Sequence, residues 1–144
     1  MPPFDMTLVS QLLAALGGGL LVGIERERSK GSGPGRKPAG VRTFALAALI
    51  GAISAMIGTG VLILSALAIA ALVLAGYLRS NGEDRGLTSE MALYLVFLLG
   101  ALSAEQPQVA AALYVVVAIV LAFKQALHHS PRQVLTEAEL GDLL

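Results

Sequence analysis

The chain contains no cysteine, only two histidines and, at 14% of its 144 residues, few charged side chains. Without cysteine there are no disulfides, no thiolate metal sites and no cysteine nucleophile, and the redox compartment is left open. Ten bases are balanced by ten acids, and this zero net charge argues against nucleic acid or an acidic substrate as the partner of the whole molecule. His128 and His129 are adjacent, so on a helix they diverge, and with no third ligand beside them no metal site is expected. Ser10, Ser54, Thr59 and Ser65 lie in apolar runs that hold no histidine to activate them and no mid-span pair of carboxylates. Neither catalytic residues nor a cofactor are therefore expected, and the chain is not read as an enzyme. Serines in such helices usually bond to a backbone carbonyl. The opening "MPPFDMT" has neither the basic start nor the cleavage site of a signal peptide, so the first apolar run is expected to stay in the mature protein.

What the chain has instead is oil. Hydrophobic residues make up 56% and the mean hydropathy is +0.75, against about 45–50% apolar and about 25% charged residues in soluble domains. This places it among membrane proteins. A helix needs roughly 20 apolar residues, with about 17 as the lower limit, to cross about 30 Å of hydrocarbon. By that ruler there are five spans: Thr7–Ile24, Val41–Ile57, Gly60–Leu78, Thr88–Ala104 and Gln108–Leu127. The breaks at Gly58-Thr59 and "EQPQ" are short enough to force antiparallel neighbours. Two-residue alternation is absent, which favours helices over barrel strands. The expected architecture is an all-α polytopic membrane protein, with residues 1–127 as the transmembrane domain and 128–144 as a short cytoplasmic tail.

Positive flanks resist translocation. Arg26, Arg28, Lys30, Arg36, Lys37 and Arg42 cluster around the first loop, Arg79 and Arg85 in the third, and Lys124 and Arg132 at the C-terminal end. All ten fall on one side, so the N-terminus is expected outside and the C-terminus inside. The loop Ser29–Gly40, "SKGSGPGRKPAG", is not a phosphate-binding loop, because Arg36 intervenes and Pro38 follows Lys37 where that motif needs Gly-Lys-Ser/Thr. It reads as a linker whose bases meet anionic headgroups, at about 1 kcal/mol each.

The first span ends in "GGGLLVGIERER", Gly17 to Arg28. Seven residues return a helix to nearly the same face, so Gly18 underlies Glu25 and Gly19 underlies Arg26. Gly19-xxx-Gly23 lets another backbone approach closely, and Gly18, Gly19 and Gly23 are expected to pack against protein. Glu25 meets the negative end of the helix dipole and wants a cation. Arg42, one residue into the second helix, is the expected partner, with Glu90 in the first turn of the fourth helix as a second acid. Thr88 or Ser89 is expected to cap that helix. Arg26 and Arg28 suit snorkelling into headgroups. The small residues Gly17, Gly18, Gly19 and Gly23, with Ala45, Ala48, Ala52, Ala55 and Gly100, offer more close-packing surface than one five-helix bundle is expected to use. A homodimer, or a complex with a second membrane protein, is expected.

"GLLVGIERE", Gly19–Glu27, followed by "KPAGVRT", Lys37–Thr43, resembles the signature of the MgtC/SapB family of bacterial inner-membrane proteins. Both halves stand at the expected separation, and the five-span layout is similar to that family's hydrophobic domain. The resemblance brings Arg26, Glu27 and Thr43 into the polar cluster with Glu25, Arg42 and Glu90. "GLTSEMALYLVFLLGALS", Gly86–Ser103, looks more like a longer branch of the family, in which a second membrane domain follows, than like the virulence-associated members with their soluble C-terminal regulatory domain. The resemblance implies localisation in the inner membrane and a tie to magnesium homeostasis. It leaves two functions open. One is a cation transporter or channel subunit acting as an oligomer; the other is a non-transporting regulator that binds a membrane protein such as an ATPase.

Overall fold

The computed structural model describes residues 5–29, 40–79 and 87–134, with side chains described as far as Phe123. The loop segment 30–39, which holds Lys37, the segment 80–86 and the tail beyond Val134 lie outside the described residues. Five helices and no strands occur among the described residues: α1 (Met6–Ser29), α2 (Val41–Ile57), α3 (Thr59–Arg79), α4 (Leu87–Ser103) and α5 (Pro107–Val134). They lie where hydropathy puts them, with the ends of α1 and α5 running further. α1 carries its helix through "ERERS", and α5 continues past the expected domain end at Leu127. Helix propensity does not stop at the edge of an apolar run, since Glu, Arg, Lys and Gln are good helix formers.

Local chemistry sets the breaks. Asp5 Oδ1 accepts from the Thr7 amide at 3.0 Å, satisfying one of the free donors at the start of α1. Gly58 alone separates α2 from α3, with φ 152°, a backbone conformation that glycine adopts without the steric penalty of a Cβ. Pro107 opens α5, where its missing N–H costs nothing.

α4 is the hub. It packs against each of the other four helices, α1 and α2 also pack against each other, α5 leans on α1 and α3 on α2, while among the described residues the backbones of α3 and α5 do not approach each other. Glycine makes the central crossings close. A Cβ on Gly51 of α2 would collide with the Phe97 carbonyl oxygen of α4, and one on Gly100 of α4 would collide with the Ala48 backbone of α2. Between α1 and α2, a Cβ on Gly19 would lie 2.8 Å from the Phe44 carbonyl oxygen, and one on Gly23 would lie 2.8 Å from Val41 Cα. Gly18 faces the ring of Tyr114 on α5, and that buried Tyr114 donates its hydroxyl to the Val96 carbonyl at 3.1 Å.

The expected packing role of Gly18, Gly19 and Gly23 is thus observed. The expected surplus of small residues is not: Ala45, Ala48, Ala52 and Gly100 are buried inside the chain, Ala55 is half-buried, and only Gly17 of the set is exposed. α4, threaded through the middle, consumes surface that a simple ring of helices would leave free.

The size gradient runs from small inside to large outside. Much of the core is alanine and glycine, while leucine, isoleucine and valine cover the outside of every helix. Only Ile69 of the 21 residues of α3 is buried. In water such a helix would be a large apolar patch; in hydrocarbon it is simply solvated. α1 and α3 are long and apolar enough to cross a membrane. α2 and α4, at 17 residues each, reach about 26 Å at the usual helical rise.

Candidate functional site

Contacts between helices fix which ends share a side. Gln11, early in α1, donates to the Ala104 carbonyl just beyond α4, and Arg26, late in α1, bonds to Ser89 at the start of α4. Gly23 meets Val41 at the start of α2. Arg26, Arg28, Arg42 and the start of α4 therefore stand at one end of the bundle, and Asp5 and Glu105 at the other. Tyr77, near the end of α3, lines the same groove as Leu87, Thr88 and Glu90, so Arg79 joins the basic end.

The polar contact at that end differs from the expected one. Arg26 reaches α4: its Nη2 donates to Ser89 Oγ. Burial deprives the guanidinium of water, and attraction by Glu90, followed by that of Glu25, offsets part of the loss. Glu90 is half-buried, and its Oε2 is shielded from solvent without a hydrogen-bond partner, as is Arg26 Nε. Among the described residues no ion pair joins Arg26 to Glu90; a donor and an acceptor of opposite charge are both shielded at this end, neither fully satisfied. This is a costly arrangement where it persists.

No hydrogen bond or ion pair joins Glu25 to Arg42 among the described residues. Helical phase explains this. Gly18 faces Tyr114 on α5, so Glu25, seven residues on, lies toward α5 and away from α2. Arg42 falls on the exposed stripe of α2 with Leu46 and Ile53, whereas Phe44, Ala45 and Ala48 form the buried face. Arg26 follows Val22, which is fully buried, by four residues and Gly19 by seven. It is therefore directed into the bundle, and Ser89 and Glu90 meet it there.

Glu27, four residues after Gly23, is the acid that approaches α2. Its Oε1 lies 3.7 Å from where a Cβ on Gly40 would sit, at the positive end of the α2 dipole. Thr43 is half-buried, and its amide donates to the Gly40 carbonyl at 3.0 Å as the first turn of α2 closes. Thr88 and Ser89 lie inside the first turn of α4 instead of preceding it, because the helix begins at Leu87. Ser89, unassigned to the cluster by sequence, is its central hydroxyl.

Of the other serines, Ser10 donates to the Thr7 carbonyl at 2.8 Å and Ser103 to that of Leu99 at 2.9 Å, as expected of helical serines. Ser54 instead donates to Ser65 Oγ at 2.8 Å, tying α2 to α3.

A helical bundle with small residues within, large aliphatic side chains without and its described bases gathered at one end belongs to the class of helical membrane proteins. More particularly, the MgtC family model matches residues 12–130, and the chain belongs to that family, which is membrane-associated. No curated protein and no solved structure matches the chain.

Proposed function

We propose that the protein is a multi-pass inner-membrane protein with five spans, N-terminus out and C-terminus in, that serves magnesium homeostasis as an oligomeric cation transporter or channel subunit. The working site in this reading is the cytoplasmic latch of Arg26, Ser89 and Glu90. The observation that carries it is the solvent-shielded, unpartnered Oε2 of Glu90 beside a half-satisfied Arg26. An ionisable pair at a membrane protein's interior edge is by default a functional candidate. A hydrated divalent cation, which binds through carboxylates while keeping several waters, competes with Arg26 for Glu90. When the cation wins, α1 is released from α4; when it leaves, the latch closes. Glu25 and Glu27 hold the neighbouring positive charges in place.

A second reading has its own observation. The backbones of α2 and α4 meet directly at Gly51 and Gly100, which leaves no room for a path between those two helices. A protein without a path of its own acts as a regulator, with the latch setting the shape that another membrane protein, such as an ATPase, senses. Liposomes containing only the purified protein separate the two. Magnesium flux above that of empty liposomes, reduced in Glu90→Gln, supports transport. No flux, together with copurification of a larger membrane complex, supports regulation.

A further inference from the structure

Two ties between α1 and α4 mark the ends of the apolar interior. Gln11 donates to the Ala104 carbonyl and Arg26 to Ser89 Oγ, and fifteen residues separate the two ties on each helix, about 22 Å at the usual helical rise. α2 repeats the spacing on its outward side. Its exposed stripe runs through Arg42, Leu46, Ile50, Ile53 and Ile57, again fifteen residues from end to end, and stops at Gly58 and the exposed Thr59. The same rim is polar elsewhere too, with Ser10 on α1 and Glu105, Gln106 and Gln108 around the α4–α5 turn, all exposed.

We infer that the protein is built for a thin bilayer. Its apolar belt fits a hydrocarbon core of about 22–26 Å, against the usual core of about 30 Å, and the neighbours that suit it are phospholipids with short acyl chains. Helix length argues in one direction only. A long helix such as α3, with 21 residues, fits a thin layer by leaning, whereas α2 and α4, with 17 each, span at most about 26 Å however they stand. Snorkelling lengthens the belt of α2 at one end alone. Arg42 can carry its charge outward, but at the other end Gly58 is the single residue that joins α2 to α3, and neither it nor Thr59 has any reach. A bilayer thicker than the belt must thin around α2 or draw Arg42 and Thr59 towards hydrocarbon. The inference rests on the five-span reading but not on transport.

The test places the purified full chain in vesicles of monounsaturated phosphatidylcholine, with acyl chains of fourteen to twenty-two carbons, and reads the thermal midpoint in each. The midpoint is expected to be highest at fourteen or sixteen carbons and to fall with each longer chain. Arg42→Leu lengthens the apolar stripe of α2 by one turn and is expected to move the maximum to longer chains, while Arg42→Lys leaves it in place. Loss of a purely structural contact would lower the midpoint in every lipid alike. Because the chain has no tryptophan, Ile50→Trp, midway between Arg42 and Ile57, reports separately on whether α2 spans. Its fluorescence is expected to be quenched by lipids brominated near the ends of their chains. A maximum at eighteen carbons or beyond, a midpoint indifferent to chain length, or an unmoved maximum in Arg42→Leu overturns the inference, and deep quenching in that case leaves the five-span reading standing. Quenching only by lipids brominated near the headgroup removes that reading and the inference with it.

Discussion

Arg26, on the last turn of α1, donates a hydrogen bond to Ser89 in the first turn of α4, and Glu90, the next residue, supplies the larger share of the negative charge that acts on the guanidinium. The two helices run in opposite directions, tied at this end by the Arg26–Ser89 hydrogen bond and at the other by Gln11 and the Ala104 carbonyl. Removing either charge leaves the other poorly solvated and without the attraction that offsets its burial. Arg26→Gln and Glu90→Gln are each expected to lower the thermal midpoint in detergent. Their double mutant should lose less than the sum of the two, with a coupling of about 1 kcal/mol, within the range for residues in contact. Additive losses would mean that the two charges act independently.

The α2–α4 crossing is the least tolerant place in the bundle. Backbone, not a flexible side chain, meets the missing Cβ at both Gly51 and Gly100, so neither helix can yield locally. Gly51→Leu and Gly100→Leu should each cost about 3 kcal/mol or prevent folding. Gly17→Ala meets nothing within 4 Å and should be neutral or stabilising by up to about 1 kcal/mol. Thermal melts of the three variants at equal expression check the contrast, and equal tolerance at Gly17 and Gly51 would contradict the packing.

Tyr114→Phe keeps the ring that Gly18 accommodates and removes only the hydroxyl donated to Val96. The hydroxyl also hydrogen-bonds with the Ser103 side chain, so the expected loss is about 1–2 kcal/mol, that of two interhelical hydrogen bonds. Tyr114→Ala should cost several times more, because the ring fills the space between α1, α4 and α5. A phenylalanine variant as unstable as the alanine variant would show that the hydroxyl matters more than the ring.

The absence of cysteine makes topology simple to test. Single cysteines at Ser29 and Arg79 should be shielded from an impermeant thiol reagent in intact cells and labelled after the membrane is opened. One at Glu105 should react at once. Labelling of Ser29→Cys from outside would reverse the proposed orientation.

Hydropathy made all five helices legible, and it located Val41–Ile57 to the residue because Gly40 and Gly58 flank that largely apolar run. The glycine face of α1 was legible too, since Gly19 and Gly23 have no use on a lipid-facing surface. The partner of each charge was not, although part of the signal was present. Gly19 underlies Arg26, and a residue on the face that packs against protein is directed inward, as Arg26 is toward Ser89. Periodicity gives the phase of a residue on its own helix. It says nothing about which neighbour stands opposite, and that depends on the central position of α4, which no local pattern records. The apolar groove lined by α3, α4 and α5 was hidden for the same reason.

The measurement that tests the central claim most directly is the charge exchange across α1 and α4. Growth in low magnesium and the thermal midpoint of the purified protein would be compared for Arg26→Glu, Glu90→Arg and the two together. The latch predicts that each single reversal, which places like charges side by side, abolishes growth support and destabilises the protein, and that the exchange restores a substantial part of both. If the exchanged protein is no better than the worse single variant, or if either reversal alone behaves as the unmodified protein, Arg26 and Glu90 do not work as a pair and the account fails at its centre.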